Sequence, residues 1–166
     1  NLILLGPPNA GTLTGLLATA NGHRGHPALP FYDRPVPGSM PGIYQLIPRA
    51  RDHVLIDPRS GASLDPLDYD LWVDRQWGLA NPESDKTLAT LLPQVADVGE
   101  RRRIALDHLR KCLTQARRYQ AALDAPAPKP AGVRLMLVIG EGGKTPVTAL
   151  AHPGRLKEGE MRDGDE

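Results

Sequence analysis

The chain has 166 residues, of which 40% are hydrophobic and 23% charged, and its formal net charge at pH 7 is +1. This length and apolar content fit one globular domain or a large piece of one, and the near balance of 20 basic and 19 acidic residues provides no overall field that would attract nucleic acid, so we expect no nucleic-acid partner. Seventeen glycines and seventeen prolines predict long irregular connections, and a single cysteine excludes an internal disulfide.

The first predicted element is a strand from Leu2 to Leu5. Four consecutive apolar residues without a polar face are typical of a strand that is buried on both sides of a parallel sheet. The glycines and prolines from Gly6 to Gly11 predict a turn, and Thr12 or Thr14 is placed to cap a helix that follows. Open α/β sheets bind ligands where a strand leads through such a turn into a helix, so function is expected here.

Two interpretations of this turn remain open from the residues alone. Gly6 and Gly11 have the G-x-x-x-x-G spacing of a phosphate-binding loop, but Thr12 and Leu13 occupy the positions of its Lys and its Ser or Thr. A nucleotide-binding protein is therefore an alternative function. In the other interpretation, the glycines and prolines only turn the chain.

The segment from Leu29 to Pro48 is rich in proline, which predicts no long helix before a short one at Ile43 to Leu46 that buries Tyr44 and Leu46–Ile47. His53 to Asp57 predicts a short edge strand followed by a turn through Gly61.

Four aspartates lie close together between Asp65 and Asp74, and oxygen ligands at such spacings could bind Ca²⁺. The segment lacks the glycine and the closing glutamate of an EF-hand, however. We favour a capped amphipathic turn, with Trp72 and Trp77 as core anchors.

His23 and His26 lack a third ligand nearby, so no metal site is predicted.

The clearest helix runs from Val98 or Gly99 to Leu123. Its apolar stripe contains Ile104, Ala105, His108, Leu109, Cys112, Leu113, Ala116, Tyr119, Gln120 and Leu123. The other directions of this helix carry basic residues, so a non-catalytic binding module that uses this basic helix is a further alternative. These residues are Arg101, Arg102, Arg110, Lys111, Arg117 and Arg118. His108 is interpreted as a packed or hydrogen-bonded histidine.

A second buried strand is predicted from Val133 to Ile139, followed by another glycine-rich turn and, from Val147 to Leu150, by an arm of a short hairpin. The chain then ends in a charged segment that contains Asp163 and Asp165.

Four short motifs resemble the lecithin:cholesterol acyltransferase-like branch of the α/β-hydrolases. They are the strand and turn LLGPPNAGT, the segment SMPGIYQLIP (Ser39 to Pro48), the strand-end turn IGEGGKTP and the dipeptide Gly164–Asp165. The resemblance implies an α/β fold, in the form of a partial α/β-hydrolase with parallel strands and a helical lid inserted between them. It divides the chain into a post-nucleophile strand, turn and helix (1–27), a lid (28–130), and a returning strand with an acid loop (131–166).

The same resemblance implies a serine hydrolase or acyltransferase that acts on an ester or lipid acyl group without a cofactor. Asp165 matches the position of the acid in the Ser-Asp-His triad, and Asp163 is its nearby competitor. Transient contact of the lid with a lipid surface is also expected. No signal peptide is recognisable, which favours the cytoplasm but leaves the compartment open.

The chain lacks two sequence features that the resembled family has. It contains no G-x-S-x-G motif and no histidine after Asp165. We therefore expect a fragment of a longer protein, with the nucleophile upstream of Asn1 and no catalysis by this piece alone.

Overall fold

The computed structural model describes residues 1–23, 32–128, 130–138 and 143–164. Helices and several small sheets alternate along this part of the chain, which makes it an α/β protein. The helices are α1 (Leu13–Asn21), α2 (Pro35–Gly38), α3 (Pro41–Tyr44), α4 (Tyr69–Asp74), α5 (Asp85–Leu91) and α6 (Val98–Leu123). The strands are β1 (Leu2–Leu5), β2 (Leu55–Ile56), β3 (Ser63–Leu64), β4 (Leu135–Val138), β5 (Gly143–Pro146), β6 (Ala149–His152), β7 (Arg155–Glu158) and β8 (Met161–Gly164). None of the described helices has the length and apolarity needed to cross a bilayer.

Helix α6 is the longest element and confirms the predicted helix. The Asp97 side chain caps its start by accepting a hydrogen bond of 2.7 Å from the Glu100 amide. The inner face buries Ala105, Leu109, Cys112, Leu113, Ala116 and Gln120. The predicted burial of Tyr119 and Leu123 is wrong, because both lie in the last turns and are exposed.

Three aromatic side chains form the centre of the core. Trp72, Trp77 and Tyr44 are fully buried, and the two indoles meet edge to face with centroids 5.9 Å apart. Their polar atoms are satisfied: the indole nitrogens donate to the carbonyls of Pro66 and His152, and the Tyr44 hydroxyl donates to that of Gly38. The prediction that the two tryptophans anchor the core is confirmed.

The largest sheet has the strand order β3-β2-β6-β7. β2 pairs antiparallel with β3 and parallel with β6, so it is an inner strand, and the predicted edge strand at residues 53–57 is wrong in that respect. Sequence near β2 cannot reveal this, because β6 follows it by more than 90 residues. The sheet joins strands from the middle of the chain to strands from its C-terminal region.

The segment 143–164 forms one long antiparallel hairpin that turns at Pro153–Gly154. The pairs Gly143↔Gly164 and Pro146↔Met161 keep the same register as Ala149↔Glu158 and His152↔Arg155. Amide-to-carbonyl bonds from Val147 to Glu160 and from Gly159 to Thr148 bridge the two halves. The hairpin is therefore longer than the predicted arm at Val147 to Leu150.

β1 and β4 pair in parallel, in register from Leu2↔Leu135 to Leu5↔Val138. This two-stranded ribbon supports the predicted adjacency of the two apolar strands but not their predicted burial. Leu5 is 73% and Leu137 63% exposed, and most of the other side chains are about half exposed. The reason is that no described element covers either face of the ribbon or pairs with its outer edges.

Candidate functional site

Backbone hydrogen bonds within the turn after β1, and from it to β4 and to the segment after α3, occupy most of its amides. The amides of Gly6, Asn9, Gly11 and Thr12 donate to the carbonyls of Val138, Pro7, Pro8 and Leu46 respectively, at 2.7–2.9 Å. Pro7 and Pro8 have no amide hydrogen to offer. A phosphate-binding loop needs several converging amides free to face its ligand, so this geometry argues against the nucleotide-binding interpretation.

The turn packs tightly against the segment that follows α3. Gly11 has a φ of +95°, and a Cβ atom placed on it would approach the Pro48 backbone to 2.7 Å. Glycine is therefore required at this position for both its conformation and its size. The two motifs that resemble the hydrolases, LLGPPNAGT and SMPGIYQLIP, are thus in direct contact.

Arg49 connects this turn to the end of α6. The residue is 7% exposed, and its guanidinium donates to the Asn9 carbonyl at 2.7 Å and to the Asp124 carboxylate at 3.0 Å. Arg51 contacts the same carboxylate from a more exposed position. The Arg49 and Arg51 guanidiniums hold the pKa of Asp124 below its ordinary value. Sequence reasoning missed this cluster, because its members are up to 115 residues apart in the chain (9 to 124).

The carboxyl ends of β1 and β4 lie at the same edge of the ribbon, because the two strands are parallel. The long hairpin pairs Gly164 with Gly143. Asp165, the predicted triad acid, lies outside the described residues, so its side chain has no described environment.

Asp163, the competing acid, has a defined place on the hairpin. Its carboxylate forms an ion pair of 2.7 Å with Lys144 on the opposite strand, and both side chains are 69% exposed. A triad acid is buried against a histidine that it orients. Asp163 instead has the surroundings of a surface cross-strand pair.

The basic residues of α6 are largely engaged within the molecule. Arg110 lies over the Tyr69 ring, with its guanidinium carbon 4.4 Å from the centroid. Other basic residues pair with carboxylates, in the combinations Arg101–Asp85, Arg103–Glu100, Lys111–Asp107 and Arg117–Asp65. This neutralisation gives the basic-helix interpretation little support, because a docking surface for anions needs unpaired cations.

Two of the four aspartates between Asp65 and Asp74 stabilise the local backbone. Asp68 caps α4 by accepting from the Asp70 amide at 3.0 Å, and Asp65 accepts from the Leu67 amide at 2.9 Å. The predicted capped turn is confirmed. Within residues 1–23, 32–128, 130–138 and 143–164, no group of three or more potential ligands is close enough to hold a metal ion.

Two histidines approach nucleophilic side chains without forming a catalytic site. The His53 ring lies 3.1 Å from the Ser63 hydroxyl, but both side chains are exposed on the surface. His108 lies 3.3 Å from the Cys112 sulfur, and burial raises the pKa of this thiol, which disfavours the reactive thiolate.

Comparison with known proteins found no matching family model, no matching curated protein and no matching solved structure.

Proposed function

We propose that this chain forms two core strands and the lid of a serine hydrolase or acyltransferase with the α/β-hydrolase fold, acting on an ester or a lipid acyl group. The observation that carries the proposal is the parallel pairing of β1 with β4 around an insertion of residues 6–134. Parallel strands occur almost only in sheets that are covered on both faces, so the exposed apolar ribbon fits the interior of a larger sheet.

The position of the insertion agrees with a lid. It leaves β1 through the glycine-rich turn at the carboxyl end of the strand, where open α/β sheets bind substrates. Arg49 and Asp124 then fasten the far end of α6 to that turn. The lid is thereby anchored beside the proposed catalytic edge, where it would meet the ester or lipid substrate and, transiently, a lipid surface.

Within this proposal Asp165 is the acid of the triad. Its support is the sequence match at Gly164–Asp165 and the engagement of Asp163 with Lys144. The acid accepts a hydrogen bond from the histidine, fixes its tautomer and stabilises the imidazolium formed while a serine attacks the acyl carbonyl. The serine and the histidine come from parts of the full-length protein beyond the motifs present here.

The proposal is tested by the substitution Asp165→Asn in the full-length protein, with Asp163→Asn as the matched control. Asparagine keeps the shape of the acid but favours the wrong histidine tautomer, so we expect kcat for an ester substrate to fall by roughly 10³- to 10⁴-fold. Asp163→Asn is expected to leave kcat within about twofold, because it removes only an exposed ion pair. Unchanged kcat for Asp165→Asn, with thermal unfolding unchanged, contradicts the assignment.

A further inference from the structure

A cavity of about 320 Å³ opens between α2, α5 and the first half of α6. It lies far from the turn after β1: His108 at the cavity precedes Asp124 by 16 residues, which is roughly 24 Å along a helix. The cavity is therefore distinct from the proposed catalytic edge, and the inference below does not depend on the proposed function.

The lining of this cavity is aliphatic. It contains no aromatic ring other than that of His108, and no acidic side chain, among the described lining residues. The principal contacts come from Leu79, Leu88, Leu91, Leu92 and Ile104. Solvent exposure increases from the floor of the cavity to its rim. Leu79 and Leu88 on the floor are 4% and 6% exposed, whereas Leu91 at the rim is 41% exposed. A flexible hydrocarbon chain fits such a lining, and covering the rim removes apolar surface from water.

The polar groups of the cavity are few. The Ser39 hydroxyl already donates to the Val36 carbonyl at 2.8 Å. The Cys112 thiol stays protonated because burial raises its pKa, so it can donate to His108 Nε2, 3.3 Å away. When Nε2 accepts this bond, the neutral ring carries its proton on Nδ1, which is then a hydrogen-bond donor. A carboxylate is a fitting acceptor for this donor, and none of the described residues that line the cavity carries a carboxylate that would repel it.

We propose that this cavity binds a medium-chain fatty acid, with the hydrocarbon chain among the leucines and the carboxylate beside His108. The volume lies at the lower end of the range for small-molecule sites, which favours one chain of moderate length over a bulky or branched lipid. The site would hold an aliphatic acid between α2, α5 and α6, away from the turn after β1.

The test measures decanoate binding to the 166-residue chain by isothermal titration calorimetry, below the micellar concentration. The rim variant Leu91→Glu has a close control in Leu123→Glu, because both leucines are the last residue of a helix and are 41% and 45% exposed. We expect Leu91→Glu to raise Kd at least about tenfold, through loss of a leucine contact and repulsion of the ligand carboxylate, and Leu123→Glu to leave it unchanged.

The head-group assignment is tested by His108→Leu, which removes the ring nitrogens and keeps the lining apolar. Kd for decanoate is expected to rise severalfold while Kd for decanol changes less, and a thermal unfolding midpoint verifies that each variant is folded. The proposal is overturned if decanoate does not bind, if Leu91→Glu and Leu123→Glu weaken binding equally, or if neither weakens it. Equal effects of His108→Leu on both ligands overturn the placement of the carboxylate.

Discussion

Single residues hold distant parts of this molecule together, and Arg49 is the clearest case. Its guanidinium joins the Asn9 carbonyl to the Asp124 carboxylate in a position that is almost inaccessible to water. Hydrogen bonds to a charged group in such a place are stronger than those at the surface, and their loss leaves polar atoms unpaired. Arg49 therefore adds a buried side-chain connection to the backbone hydrogen bonds that hold the turn.

Arg49→Met is expected to lower the free energy of unfolding by about 2 kcal/mol, because the Asn9 carbonyl loses its partner and the buried contact with Asp124 is lost. Urea denaturation monitored by circular dichroism measures the change. Arg51→Met is the matched control, since this side chain is 64% exposed and contacts the same carboxylate. A loss for Arg51→Met as large as that for Arg49→Met would show that burial of the guanidinium is not what matters.

Asp57 gives a prediction about acid stability. The amides of Arg59 and Ser60 and the guanidinium of Arg75 hold its pKa below the ordinary value. A carboxyl with a lowered pKa stabilises the fold above its unfolded pKa, which is about 4, and this contribution is lost as the pH falls through the folded pKa. The difference in thermal midpoint between the wild type and Asp57→Asn should be constant above about pH 5 and shrink below about pH 4. A difference that does not change with pH contradicts this role.

The sequence predicted elements with local signals correctly, but not those features that depend on contacts between distant residues. Periodicity predicted α6 to within a residue, because its amphipathic face is a local signal. The parallel neighbours β1 and β4 were also recognisable as apolar runs. By contrast, the inner position of β2 and the Arg49 cluster depend on pairings between residues far apart, for which one sequence contains no local signal. The same limit applies to the site, since the turn was predicted but not the hydrogen bonds that close it.

At the scale of elements, the Pro153–Gly154 turn determines the register of the long hairpin. Gly154 has a φ of +75° and a Cβ placed on it would have nothing within 4 Å, so its requirement is conformational and not steric. Gly154→Ala should therefore destabilise the protein by about 1 kcal/mol. Gly42→Ala is the control, because Gly42 lies in α3 and a Cβ placed on it would also have open space. This substitution should leave the stability of the protein unchanged or raise it slightly. Thermal unfolding of both variants measures the contrast, and equal effects would refute it.

On the scale of the whole molecule, stability is distributed unevenly. The described core joins α1, α6, the tryptophans and the four-stranded sheet, whereas the β1–β4 ribbon has little apolar cover. Two paired strands alone are at best marginally stable in water. The proposed fold would account for this contrast by placing the ribbon inside a wider sheet.

The contrast predicts a pattern of amide hydrogen exchange. In the 166-residue chain the amides of β1 and β4 should exchange within seconds to minutes, because the ribbon opens without disrupting the core, while the inner turns of α6 stay protected for far longer. In a full-length protein with the proposed fold, flanking strands and helices would cover the ribbon, and protection there should rise to that of the core. Mass spectrometry of peptides over residues 1–6, 134–138 and 104–116 makes both comparisons. Strong protection of the ribbon in the dilute 166-residue chain would show that it is stable without further strands, and would remove the main structural support for the larger sheet.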